Sequence, residues 1–164
     1  MLSIVTFPDL TLNKRCDDVI AYGDGLKRII ADMFELMYSS SGVGLAAPQV
    51  GVLKRIIVID ASEGSEIHRI AMVNPSIKSK SIEREVAEES CLSIPGVTLW
   101  VARHVWCDVE YDDVDGNRQS LVCTGKISKI VQHEIDHLNG EIIIDKVGPL
   151  ARKIAMKSLA RRIA

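Results

Sequence analysis

The sequence predicts an α+β fold, and three observations predict it. Strand-like segments crowd the middle of the chain while helix-like segments lie towards its ends. No regular β-α-β alternation recurs, as a doubly wound sheet would require. Asp115-Gly116 joins an alternating segment to a returning one, the signature of an antiparallel hairpin. At 164 residues, the chain fits a single domain over residues 1–164 better than two.

The elements follow in order. Asp24 to Tyr38 is the first helix, because Leu26, Ile30, Met33 and Met37 recur at three- and four-residue spacing. Asp24 is its expected N-cap, and Ser39 to Gly42 stop it. GVGLAAPQVG follows, too rich in Gly and Ala and too irregular for a helix. Arg55 to Asp60 is a buried strand, Glu63 to Ser65 a turn, and Ile70 to Asn74 another strand. The polar stretch from Ile77 to Ala87 suggests a short hairpin. Val97 to Val101 and His104 to Tyr111 are strands, and the second puts Val105, Cys107, Val109 and Tyr111 on one face. Gln119 to Cys123 returns from the Asp115-Gly116 turn. Ile127 to Leu138 is the second helix, ended by Asn139-Gly140 in a left-handed cap. Glu141 to Ile144 is a short strand, and Pro149 opens a last helix towards Ala164.

Composition narrows the function. Hydrophobic residues make up 47% of the chain and charged ones 26%, as in an ordinary globular protein. A net charge of -2 argues against DNA as a partner. The opening MLSIVTFPDLTLNKR resembles neither a secretory signal nor a transit peptide, and apolar runs such as Ile56 to Ile59 are too short to span a bilayer. The expectation is a cytoplasmic protein without a membrane partner. Four cysteines without a C-x-x-C pair predict buried free thiols at Cys16, Cys107 and Cys123.

Cys91 is different, because of His133-Glu134-Ile135-Asp136-His137. On a helix, residues four apart share a face, so two imidazoles can reach one cation while Glu134 reaches a water beside it. Downstream of His137 there is no histidine, and only Glu141 and Asp145 are acidic. Upstream, Glu88 to Pro95 places Cys91 in a polar, strand-poor stretch. A thiolate, two imidazoles and one open position make a sensible catalytic metal site. Short antiparallel sheets would then pack around a central metal-binding helix, with one helix N-terminal and one C-terminal to them.

These residues carry a resemblance. Gly42-Val43-Gly44-Leu45-Ala46-Ala47-Pro48-Gln49, Glu89-Ser90-Cys91-Leu92-Ser93 and Gln132 to Gly140 stand in the order and spacing of the three motifs of the peptide deformylases. Phe7-Pro8-Asp9 and Val73-Asn74-Pro75 look like further stretches of that family, so the resemblance spans the chain. It implies removal of the N-formyl group from the formyl-methionine of nascent proteins, with release of formate. It implies one divalent metal ion, natively Fe2+, with Zn2+, Ni2+ or Co2+ able to substitute. The cation would bring the pKa of water towards about 7. Glu134 would then take the water's proton and hand it to the leaving amine. By the same resemblance, the Gln49 amide and the Leu92 backbone N–H stabilise the developing oxyanion. Glu89 supports the site through hydrogen bonds. Val43, Gly44, Ser90, Lys126 and Ile130 meet the peptide, which pairs as an added strand.

Two positions depart from the family. Ser90 stands where Gly is usual, and Lys126 stands where a large apolar residue normally lines the methionine pocket. Lys126 lies two helical turns before His133, on the ligand face. It can lend its aliphatic stem, pair with an acidic neighbour, or open the pocket to solvent. Two other readings remain open at this point: a deformylase-like protein of weak activity or altered preference, and another H-E-x-x-H metallopeptidase. The tail adds a partner. From Val147 to Ala164 there are five basic residues and no acidic one, with Lys153, Lys157 and Arg161 on one helical face and Ala155, Met156, Leu159 and Ile163 on the other. By analogy with deformylases of similar build, this helix would dock on the ribosome.

Overall fold

The computed structural model describes residues 2–62 and 69–163. In chain order the elements are α1 (Asp24–Ser39), β1 (Gly44–Ala46), β2 (Ile56–Asp60), β3 (Arg69–Lys80), β4 (Arg84–Cys91), β5 (Ile94–His104), β6 (Trp106–Asp112), β7 (Arg118–Thr124), α2 (Gly125–Leu138) and α3 (Pro149–Ile163). Strands β1-β2-β3-β6-β7 form one antiparallel sheet, and β4-β5 form a second.

Strand β2 explains why the larger sheet carries a helix on each face. Ile57 and Ile59 pack with Val131 and Leu138 of α2, while Ile56 and Val58 pack with Ile30 and Met33 of α1. A strand buried on both faces reads as an unbroken apolar run rather than an alternation. Each of its four side chains contributes about 2 kcal/mol by leaving water. Strand β6 alternates as expected, with Cys107 and Val109 turned into the α2 core. A third core joins β5 to α3 and includes Cys91, Leu99, Val101, Ala155 and Leu159.

The structure differs from the sequence reading in several places. No hairpin forms over residues 77–87, because β3 pairs with β6 and β4 with β5, so the chain changes sheets there. Buried Ser81 holds that corner, donating its N–H to the Trp106 carbonyl (3.0 Å) and its hydroxyl to the Glu83 carbonyl (2.7 Å). His104 ends β5 rather than starting β6. The expected strand at Glu141 to Ile144 is instead a 3-10 turn over Ile143–Lys146, closed by the Ile142 N–H donating to the Asp145 carboxylate (3.0 Å). Asp24 is the first residue of α1, and Gly23 occupies the cap without a side-chain bond. The turn expected at Glu63 to Ser65 lies outside the described residues. All four cysteines are buried free thiols.

Candidate functional site

Helix α2 carries the centre, and its placement is fixed from within. Gln132 grips the backbone of His104 at both ends: its Oε1 accepts from the His104 N–H (3.0 Å) and its Nε2 donates to the His104 carbonyl (2.9 Å). That clamp ties α2 to the end of β5. At its other end, Gly140 turns the chain with φ 79°, and a Cβ there would lie 2.7 Å from the Asn13 carbonyl oxygen. Only glycine meets both demands.

The ligand atoms of Cys91, His133 and His137 all lie within 4.8 Å of one another. Cys91 ends β4, not the strand-poor stretch expected, and the two-residue turn at Leu92 and Ser93 leads back into β5. A hairpin therefore presents the thiol to the helix. Cys91 Sγ lies 3.3 Å from His137 Nε2, and the two imidazole centroids are 5.0 Å apart. His133 Nδ1 lies 2.9 Å from Glu89 Oε2. A carboxylate only accepts, so Nδ1 carries the proton and Nε2 is left for a cation.

The electrostatics suit a metal. Burial disfavours the Glu89 charge, yet hydrogen bonds from Arg103 and His133 outweigh it and hold its carboxyl at about 2. Burial keeps His137 well below the ordinary imidazole range, in the neutral form a ligand needs. Burial pushes His133 the same way, but Cys91 and Glu89 raise it well above that range. Among the described residues Glu134 Oε2 is buried without a hydrogen-bond partner, in the cavity that Cys91 and His133 also line. An electron-rich pocket of one thiolate and two imidazoles, with an unpartnered carboxylate oxygen beside it, fits a divalent cation.

Glu134 and Gln49 flank the cluster. Burial pushes the Glu134 carboxyl up to about 7, with His133 opposing. Gly44 explains its placement: a Cβ there would collide with Glu134 Oε1 and lie 2.8 Å from Ile130 Cγ2. Gln49 is anchored at one end and aimed at the other. Its Oε1 accepts from the Ala46 N–H (2.8 Å), while Nε2 faces Ser93 Oγ (3.1 Å) and Cys91 Sγ (3.5 Å). It both caps a turn and points into the site.

One cavity of about 590 Å³ collects the sequence-predicted residues. Val43, Gly44, Ser90, Lys126 and Ile130 line it, together with Gln49, Leu92 and Glu134, while His137 lies behind the wall. Among the described residues β1 pairs with β2 alone, and Val43 and Gly44 at its free end line this cavity. The sequence reading missed Arg103, which reaches both Glu89 and Asp136, and Ser93, which holds Gln49. The alternation Val97, Leu99, Val101, Arg103 carried a signal, since it turns the arginine towards the core.

The sequence model of the family described as Polypeptide deformylase matches residues 1–153. The chain belongs to the peptide deformylase family. It is 40% identical to the peptide deformylase of Thermodesulfovibrio yellowstonii over 158 residues, 96% of this chain and 95% of that one. A peptide deformylase of Thermotoga petrophila is also 40% identical, over 97% of this chain and 94% of its own length. Among solved structures, the peptide deformylase of Ehrlichia chaffeensis in complex with actinonin superposes with a TM-score of 0.93 at 35% identity, covering 99% of this chain and 97% of that one. That of Legionella pneumophila gives 0.91 at 37% identity, over 98% and 94%. Like other deformylases, the chain is thus an α+β metallohydrolase, and no helix among the described residues is long and apolar enough to cross a membrane.

Proposed function

We propose that this deformylase removes the formyl group from the N-terminal formyl-methionine of nascent proteins, using Cys91, His133 and His137 to hold one divalent metal, natively Fe2+. Family membership supports the reaction, and the observation that carries the site is the convergence of these three ligand atoms beside buried Glu134. When bound, the cation supplies Lewis acidity and an acidic water.

The chain's own residues do the rest. Glu134 takes a proton from the attacking water and delivers it to the departing amine nitrogen. Its burial keeps bulk water from competing, and a neighbouring cation favours the ionised form that a base needs. Gln49 Nε2 and the Leu92 N–H donate to the oxygen that gains charge. The open edge of β1 at Val43 and Gly44 pairs with the peptide backbone as an added strand. Val43, Lys126 and Ile130 line the pocket for its first side chain, and Ser90 stands beside its backbone path.

The third ligand disfavours another kind of H-E-x-x-H peptidase, since it is a cysteine brought by a β-hairpin rather than a downstream acid or imidazole. The fit of the ligand set supports an active enzyme over a deformylase-like protein of weak activity. A cytoplasmic setting and ribosome docking through α3 complete the proposal. The docking is supported by the basic exposed face of Lys153, Lys157 and Arg161, and the cytoplasmic setting is where nascent formylated chains are made.

The test is formate release from a formyl-Met peptide by iron-loaded protein kept anaerobic, beside Glu134→Gln. Wild type should release formate and leave unformylated peptides uncut. Glu134→Gln should keep its metal while kcat falls at least roughly 100-fold. Near-normal kcat in that variant removes Glu134 as proton carrier, and cleavage of unformylated peptides without formate would favour a peptidase.

A further inference from the structure

We propose that Arg103 is a positioning residue for the metal ligands, acting through Glu89 and Asp136; the proposal rests on the ligand set of Cys91, His133 and His137. Arg103 sits at the end of β5 and is only 4% exposed. Its guanidinium makes three contacts with two carboxylates. Nε and Nη2 fork onto Glu89 Oε1 (2.7 Å) and Oε2 (2.9 Å), and Nη1 reaches Asp136 Oδ2 (2.5 Å).

Each contact fixes a different part of the ligand set. Glu89 Oε2 takes both the Arg103 Nη2 donor and the His133 Nδ1 donor, so the fork holds the carboxylate that sets the His133 tautomer and ring angle. Asp136 lies on α2 immediately before His137 and three residues after His133. Gripping it pins the helical turn that carries both imidazoles. Lys146 approaches the other Asp136 oxygen, Oδ1 (2.9 Å), and also pairs with Glu141. Glu89 is two residues before Cys91 on β4. One guanidinium therefore joins the strand that supplies the thiolate to the helix that supplies the imidazoles.

A planar five-donor fork can do this and a point charge cannot, so lysine is a poor substitute. Groups that orient metal-binding histidines typically change metal affinity by about 10–100-fold when lost. No contact places Arg103 on the substrate or the reacting atoms. Its role shows in how the ligands are held.

Cobalt(II) is the probe, because its visible bands report ligand geometry and its near-ultraviolet charge-transfer band reports thiolate ligation. Full-length Arg103→Lys and Arg103→Met are loaded with cobalt, and its transfer to a chelator is timed. Val58→Ala, which weakens the core under α1 away from the ligands, is the stability control. Both Arg103 variants should shift the visible bands and release cobalt at least about tenfold faster than wild type. Val58→Ala should keep wild-type bands and release despite a lower melting temperature. If Arg103→Met does not fold, Arg103→Lys decides the matter. Wild-type bands and release rates in Arg103→Lys overturn the proposal, as does equally fast release from Val58→Ala at a matched loss of melting temperature. A wild-type protein that takes up cobalt without a thiolate band overturns the ligand set itself, and the proposal with it.

Discussion

Gly44 shows how little room surrounds the buried carboxylate of Glu134. A single methyl group there would displace Glu134, because a Cβ would overlap Oε1 and crowd Ile130. Gly44→Ala should therefore keep its metal but lose roughly 100-fold in kcat, the order expected for a misplaced reacting group. Metal analysis beside steady-state kinetics checks it, and an unchanged kcat would mean that the Glu134 position is not critical. Lys126 makes a second prediction at this scale. It lines the cavity where the family usually has an apolar side chain. Lys126→Leu should raise the kcat/KM ratio of formyl-Met over formyl-norvaline peptides, by about 1–2 kcal/mol or roughly tenfold. An identical ratio would place Lys126 away from the methionine side chain. The clustering of His133 and His137 was legible because helical spacing alone brings them together. Arg103 was not, because its partners lie on β4 and α2, far away in sequence.

Helix α2 and the β4–β5 hairpin form the working unit, and α3 is attached to it. Ala155 and Leu159 of α3 share a core with Cys91 and Leu99, so the tail is also a packing element. Met156, expected on the buried face, is 38% exposed, and the side chain of Ile163 lies outside the described residues. Deleting the helix would uncover the hairpin that holds the thiol. Reversing charge on its exposed face is the cleaner test of ribosome docking. Lys153→Glu/Lys157→Glu/Arg161→Glu should reduce co-sedimentation with ribosomes at low salt and leave formate release near wild type. Wild-type binding should weaken steeply as salt rises. Equal sedimentation of the variant would leave the tail with its packing role alone. Helices and the Asp115-Gly116 hairpin were readable from period and turn chemistry. The corner at residues 81–83 was not, because a change of sheet depends on which strands pair, and local pattern does not record that.

Across the whole molecule, three cores converge on one cavity. The sheet faces α1 and α2, the hairpin faces α3, and the ligand atoms sit where α2 meets the hairpin. The α+β class was legible from the order of segments, whereas the packing of two sheets around α2 needed tertiary contacts. The central claim is that one thiolate and two imidazoles hold the metal on which deformylation depends. Metal content and formate release measured together in wild type and Cys91→Ala test it most directly. Wild type should carry about one ion per chain and release formate, since structural and catalytic sites of this donor set bind a single cation. Cys91→Ala should lose both. A Cys91→Ala protein that keeps stoichiometric metal and turns over formyl-Met peptide would contradict the account.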